Sequence, residues 1–251
     1  MPPAVFYSKG ELRLAPDRVD IWTLPTQTTT QILNRLRQNL SADEEERALR
    51  FHKTEDQQSF IASRGILRTI LSSYLHLPPK NLIFRYGKKG KPYLDDVELH
   101  FNLAHSGGKA IYAFGRDDLG VDIEFIKPWQ DWQKISARFF SQREAEQLLK
   151  PDPATQIADF FACWARKEAY IKAIGEGMAV GLNQFYVGAD RAIIGGPVEQ
   201  NGHPPQWYFK DLDVGEQYAG ALVTRFPACA VRVFSFDRVE EFLDYVETSS
   251  G

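Results

Sequence analysis

The chain has 251 residues, enough for one large domain or for two of about 100 to 150 residues, each with its own core. Apolar residues supply 43% and charged residues 25%, which excludes a disordered chain, and a net charge of -3 excludes a generally basic nucleic-acid binder. Two cysteines, Cys163 and Cys229, offer neither a disulfide framework nor metal-ligand spacing, and there is neither a basic-then-apolar leader nor a run of about 20 apolar residues, so a cytoplasmic protein without membrane contact is expected.

In chain order, 19–24 reads as a strand and 31–39 as a helix. Ser41-Ala42-Asp43-Glu44 and Thr54-Glu55-Asp56-Gln57 both match the capping box, marking two further helix starts. The second should run to about Leu77, stopped by Pro78-Pro79, with Ile66, Leu67, Ile70, Tyr74 and Leu77 at core spacing and Arg64 and Arg68 one turn apart on another face. Alternation predicts strands over 82–86, 97–103, 109–115 and 119–126, separated by glycine and aspartate turns. Helices are predicted over 132–140, 141–149 and 155–174. Strands should follow over 184–187, 206–210, 218–224 and 230–236, and a closing helix over 239–247. Helices followed by a strand meander thus occur twice, which predicts an α+β protein of two units, residues 1–116 and 117–251.

Three constellations carry chemistry. In Gly120-Val121-Asp122-Ile123-Glu124, strand alternation sends Asp122 and Glu124 to one face and Val121 and Ile123 to the other. In Trp164-Ala165-Arg166-Lys167-Glu168-Ala169-Tyr170-Ile171-Lys172, helical spacing puts Trp164, Glu168 and Lys172 on one stripe. Packed together, the two segments gather three carboxylates and an amine. All-oxygen donors suit Mg²⁺ or Mn²⁺ over zinc, and Mg²⁺ usually completes its shell with substrate phosphates. Tyr86-Gly87-Lys88-Lys89-Gly90-Lys91-Pro92 puts three lysines in a glycine-punctuated loop suited to phosphate, although it is no Walker A motif. In Phe101-Asn102-Leu103-Ala104-His105-Ser106-Gly107-Gly108, two glycines follow His105 and Ser106 and would let backbone approach a ligand closely. For each, an ordinary solvated strand, helix pair or turn is the competing reading.

Taken together, these segments resemble the Sfp-type 4′-phosphopantetheinyl transferase superfamily. The resemblance lies in GKP at Gly90 to Pro92, FNLAHS at Phe101 to Ser106, GVDIE at Gly120 to Glu124 and W-x-x-K-E-A-x-x-K at Trp164 to Lys172, helped by Arg138-Phe139-Phe140 and the G-x-G at Gly175 to Gly177. It implies two similar α+β subdomains related by a pseudo-two-fold axis, each a small, mostly antiparallel sheet packed with helices, with a ligand cleft between them. It implies transfer of 4′-phosphopantetheine from coenzyme A to a serine of an apo acyl carrier protein or peptidyl carrier domain, releasing adenosine 3′,5′-bisphosphate.

By motif position, Asp122, Glu124 and Glu168 would hold Mg²⁺ (or Mn²⁺) against the coenzyme A diphosphate, and Glu168, Lys172 and Asp122 would be the catalytic residues. Coenzyme A would be bound by Arg47, Arg64, Lys88, Lys91, Pro92, His105, Ser106 and Lys172. The partners expected are the carrier protein and coenzyme A, with no nucleic acid and no membrane, and the protein is expected to be a monomer. A docking patch for the carrier is expected around Trp129, Trp132, Phe139, Phe140 and Arg143. The rival functions are a Mg²⁺-dependent nucleotide or coenzyme A pyrophosphohydrolase and a non-catalytic coenzyme A-binding protein.

Overall fold

The computed structural model describes residues 12, 14–149, 152–177, 180–188, 191–195 and 206–249. Among them the chain forms strands β1 (Arg18–Pro25), β2 (Phe84–Tyr86), β3 (Pro92–Leu94), β4 (His100–Ser106), β5 (Lys109–Gly115) and β6 (Leu119–Phe125). Strands β7 (Phe185–Val187), β8 (Ala192–Gly195), β9 (Trp207–Leu212), β10 (Tyr218–Thr224) and β11 (Ala230–Ser235) follow. The helices are α1 (Thr30–Arg37), α2 (Ala42–Leu49), α3 (Thr54–Leu75), α4 (Trp132–Phe139), α5 (Gln142–Leu148), α6 (Gln156–Ile174) and α7 (Val239–Ser249). The α+β class read from the sequence is what the structure shows.

Two sheets carry the architecture. The first has the order β11-β1-β5-β4, with β11 parallel to β1 and the other pairs antiparallel; the second, β6-β10-β9-β8-β7, is antiparallel throughout. Alternation along each strand gives every sheet two apolar faces. In the first, Trp22, Tyr112 and Phe114 point to a core shared with Ile66, Leu67 and Ile70 of α3 and Phe242 of α7, while Ile21, Ile111 and Ala113 point to the second sheet. Val121, Ile123 and Leu222 meet them there, and the opposite face of the second sheet buries Phe160, Ala165, Ala169 and Tyr170 of α6. The layers are therefore helices, sheet, sheet and helix, with β6 at the junction.

Local chemistry sets the helix starts. The box at Ser41 forms as expected, with the Glu44 carboxylate accepting from the Ser41 amide at 3.1 Å. The one expected at Thr54 does not: Thr54 is already helical and the preceding Lys53 makes no side-chain cap. Helix α3 ends at Leu75 because His76 takes φ 53°, a left-handed stop, so Leu77 falls beyond the helix and is exposed. Arg64 and Arg68, expected on a separate face, are buried. Glu44 is buried with them and accepts from Arg68 Nε at 2.6 Å, which gives the guanidinium a partner in the interior. Short strands β3 and β8 were not foreseen. The first contains Pro92, which a strand tolerates only at its edge or start, and it pairs with β2 alone.

Candidate active site

Gly120 decides how close helix α6 lies to β6. A β-carbon there would stand 2.0 Å from the Ala169 carbonyl oxygen and 2.4 Å from the Ala173 amide nitrogen, so only glycine allows the backbone-to-backbone approach. The next two residues on that face are Asp122 and Glu124, and the helix brings Glu168 and Lys172 against them. Lys172 Nζ donates to Asp122 Oδ1 at 2.6 Å, while Asp122 Oδ2 is buried without a hydrogen-bond partner among the described residues. Burial, first of all, pushes the Asp122 carboxyl up to about 7, aided by Glu124 and Glu168 and opposed by the Lys172 ammonium. Glu168 is half-buried and has no hydrogen bond or ion pair among the described residues; burial and then Glu124 raise its pKa against the pull of Lys172. Four groups distant in sequence therefore act on one another electrostatically.

The other expected residues divide. His105, at the end of β4, has an exposed ring whose pKa is lowered first by desolvation and then by the Lys172 ammonium, which puts it beside the acid cluster. Ser106 donates to Glu124 Oε2 at 3.0 Å and accepts from the Phe125 amide at 3.1 Å. Lys91 does not project freely: its ammonium donates to the carbonyls of Leu119 at 3.1 Å and Ala173 at 2.9 Å, fastening the β2–β3 ribbon to the start of β6 and the end of α6. Pro92 lies beside it, and both line a cavity of about 510 Å³ between the ribbon, the end of α6 and β9. Lys88 is exposed on the ribbon turn.

Arg47 and Arg64 form a separate group. Their guanidinium carbons stand 5.2 Å and 5.8 Å from the centroid of the Phe60 ring, and Arg64 Nη1 is buried without a hydrogen-bond partner among the described residues. Burial holds the Arg64 pKa below its usual value in spite of Glu44, whose carboxylate lies 3.5 Å away. A buried guanidinium nitrogen without an acceptor suits an anion.

Of the expected docking patch, Trp132 and Phe140 are core residues packed on Phe160, and Trp129 and Phe139 pack partly against that core. Only Arg143 stands out, its guanidinium 4.5 Å from the Tyr186 ring centroid. Two buried polar features escaped the sequence reading, one beside the site and one in the core under α6. One is Asn102, whose Oδ1 accepts from the buried Val121 amide at 2.9 Å. The other is the Lys167–Glu144 ion pair of 2.8 Å, with Lys167 also donating to the carbonyls of Leu182 and Phe185. A polar residue inside an apolar strand was the signal for the first, and a lysine among aromatics for the second.

Among the described residues no group of three His, Cys, Asp or Glu side chains is gathered closely enough to hold a metal ion. The donor set nevertheless suits a hard cation. All three groups are carboxylates, and among the described residues one buried oxygen of Asp122 has no hydrogen-bond partner and Glu168 makes no hydrogen bond or ion pair.

Fold and site together define a two-unit α+β enzyme with an acid-and-lysine cluster where helix α6 meets strand β6. The 4′-phosphopantetheinyl transferase superfamily matches residues 118–223, and its N-terminal part, described as 4′-phosphopantetheinyl transferase, N-terminal, matches residues 22–114. The chain is 41% identical over 174 residues to the 4′-phosphopantetheinyl transferase HetI of Nostoc sp., covering 67% of this chain and 73% of that protein. It is 32% identical over 192 residues to the 4′-phosphopantetheinyl transferase Sfp of Bacillus subtilis, covering 75% and 83%. To the 4′-phosphopantetheinyl transferase gsp of Aneurinibacillus migulanus it is 31% identical over 164 residues, covering 65% and 68%. The chain belongs to the 4′-phosphopantetheinyl transferase superfamily and is an enzyme of that class.

Proposed function

We propose that the enzyme moves 4′-phosphopantetheine from coenzyme A to a serine of an apo acyl or peptidyl carrier protein, with Mg²⁺, and releases adenosine 3′,5′-bisphosphate. The observation that carries this reading is the Lys172–Asp122 contact of 2.6 Å beside Glu124 and Glu168. It supports the reading because a cation beside three acids is the set that a diphosphate and its counter-ion ask for. Phosphoryl transfer asks a protein mainly for positioning and charge neutralisation, and this cluster offers both. Asp122, Glu124 and Glu168 would hold Mg²⁺, which when bound supplies charge neutralisation on the diphosphate. For that, Lys172 must leave Asp122 and turn its ammonium to phosphate oxygens.

Glu168, directly or through a water that it orients, is our general base, since it makes no hydrogen bond or ion pair among the described residues. The carrier serine oxygen attacks the phosphorus next to the pantetheine arm, its proton passes to Glu168, and the bond to the departing adenosine bisphosphate breaks. His105, with Arg64 and Arg47, would hold the 3′-phosphate; Lys88, Lys91 and Pro92 would border the adenine. A groove of about 290 Å³ beside Glu124, lined by Phe125, Lys127, Trp129 and Trp164, offers a partly apolar path for the pantetheine arm.

We further propose a monomer acting in the cytoplasm, its two units meeting near residue 117 with β11 and α7 returning to the first, and with neither nucleic acid nor membrane as partner. A net charge of -3 speaks against a nucleic-acid partner, and no helix among the described residues is long and apolar enough to cross a membrane. The test is mass spectrometry of a panel of apo carrier proteins incubated with coenzyme A, with and without Mg²⁺. A gain of about 340 Da that requires the metal is expected, whereas cleavage of coenzyme A without any gain would favour a hydrolase.

A further inference from the structure

Strand β6 is at the edge of the second sheet and β4 at the edge of the first, and the two lie side by side without a shared ladder. Side chains of β4 take the place of that ladder. Asn102 Oδ1 accepts from the Val121 amide at 2.9 Å and Ser106 Oγ from the Phe125 amide at 3.1 Å, so residues four apart on one strand satisfy residues four apart on the other. An edge amide at this junction would otherwise be short of a partner.

Ser106 does more than close the edge. A hydroxyl has one hydrogen, and that of Ser106 goes to Glu124 Oε2 at 3.0 Å. Bound on one side to the backbone of β6 and on the other to the carboxylate, it fixes one oxygen of Glu124 and leaves Oε1 without a hydrogen-bond partner among the described residues.

The turn that follows is bolted to the second sheet. Gly107, at φ 56°, lies so close to Phe125 that a β-carbon would stand 2.5 Å from that residue's Cβ. Tyr218 Oη donates to the Gly107 carbonyl at 2.7 Å, and Lys109 Nζ donates to the Val214 carbonyl at 2.7 Å. The hydroxyl is thereby held from both sides, which a side chain waiting for a phosphate would not need.

We infer that Ser106 is a positioning residue for Glu124, presenting that carboxylate to the metal, and is not a coenzyme A contact. This rests on the reading of Asp122, Glu124 and Glu168 as the Mg²⁺ ligands. Groups that orient a ligating carboxylate govern metal affinity even though they never touch the ion.

The experiment is a calorimetric titration of Mg²⁺ into the full-length protein saturated with coenzyme A, with no carrier present, for the wild type, Ser106→Ala and Ser106→Thr. Coenzyme A binding in chelator is measured alongside. The alanine variant should bind Mg²⁺ on the order of 10- to 100-fold more weakly. The threonine variant, which keeps the hydroxyl, should bind as the wild type does, and metal-free coenzyme A binding should be equal in all three. Unchanged Mg²⁺ affinity in Ser106→Ala, or an equal loss in Ser106→Thr, overturns the inference. So does weaker metal-free coenzyme A binding in Ser106→Ala, which would make the hydroxyl a ligand contact. A wild type that takes up no Mg²⁺ removes the metal reading itself, an outcome visible in the first titration alone.

Discussion

Glu44 and Asp122 are both buried acids with a cation at 2.6 Å, yet their surroundings differ in kind. Each has one buried oxygen without a hydrogen-bond partner among the described residues, but Glu44 is flanked by two guanidinium groups, Arg68 at 2.6 Å and Arg64 at 3.5 Å, and by the Ser41 amide, while Asp122 has Lys172 alone and an elevated pKa. The first arrangement serves the fold; the second is unfinished without a ligand. Replacing Asp122 or Glu168 with Ala should therefore cut transfer to apo carrier on the order of 100- to 1,000-fold or more, while cooperative unfolding is retained. Wild-type rates in a transfer assay would refute the site. Cysteine chemistry gives a check on burial: Cys163 is buried and its thiol is pushed up to about 12, so in the native protein at pH 8 it should resist thiol reagents until the chain unfolds. Its rapid labelling would contradict the packing of α6.

A third expectation concerns His100, whose contact of 3.2 Å with Asp118 raises the imidazole pKa and lowers that of the acid. For the imidazole, a folded pKa above the unfolded one means stabilisation present at low pH that is lost as pH rises through the raised value. For Asp118 the sign is reversed, and its share fades as pH falls through the depressed carboxyl value. The pair is thus strongest between the two, and NMR titration should place the His100 midpoint above that of a free histidine, falling back in Asp118→Asn. At this scale the sequence spoke through spacing: the carboxylates, Lys172 and the Ser41–Glu44 box could be read from i,i+2, i+3 and i+4 rules. The Glu44–Arg68 pair, 24 residues apart, has no such local rule.

Among elements, the contact of α6 with β6 governs the site. Gly120→Ala would drive a methyl into the Ala169 carbonyl and the Ala173 amide, which are backbone atoms and cannot rotate away. The helix must lift, which should cost about 1–3 kcal/mol or more and separate Glu168 and Lys172 from Asp122. Denaturant unfolding and the transfer assay should both register it, whereas an alanine variant with native midpoint and native rate would show that the close approach does not matter. Strands β5 and β10 have the bounds read from the sequence, because each is central and buried on both faces, so that turn residues bound a continuous apolar run. Short β3 and β8 left no such pattern, since three or four residues are too few to establish a period. The Trp132 and Phe140 region misled for another reason: aromatics read alike in a docking patch and in a core, and only packing against Phe160 separates the two.

At the scale of the whole molecule, the chain's last elements belong to the first sheet. Residue order suggested two consecutive units, but β11 returns to pair in parallel with β1, and α7 packs its Phe242 and Leu243 into the first core. A parallel pairing across some 200 residues carries no local signature, which is why order alone did not reveal it. The return is tied at its centre: Arg232 donates to both oxygens of fully buried Asp20 at 2.9 Å and 2.6 Å, Tyr74 donates to Asp20 at 2.7 Å, and Phe234 stacks on Trp22 with centroids 4.1 Å apart.

Ending the chain after Thr224 would leave every residue of the acid cluster in place and yet strip away the partners that the return supplies. Asp20 would keep Arg18 and Tyr74 but lose the buried two-point contact with Arg232, Trp22 would lose its covering ring, and the first core would lose Phe242 and Leu243. Removing one partner of a buried pair costs up to about 3–5 kcal/mol, a large part of a domain's whole stability. The truncated protein should therefore lose cooperative unfolding and near-ultraviolet dichroism, and with them transfer activity, even though none of the catalytic residues has been touched. Co-expression of the missing segment as a separate peptide should restore part of the activity, because its contacts are with β1, α3 and the first core. A truncated chain that folds and transfers on its own would show that the first sheet stands without its borrowed strand.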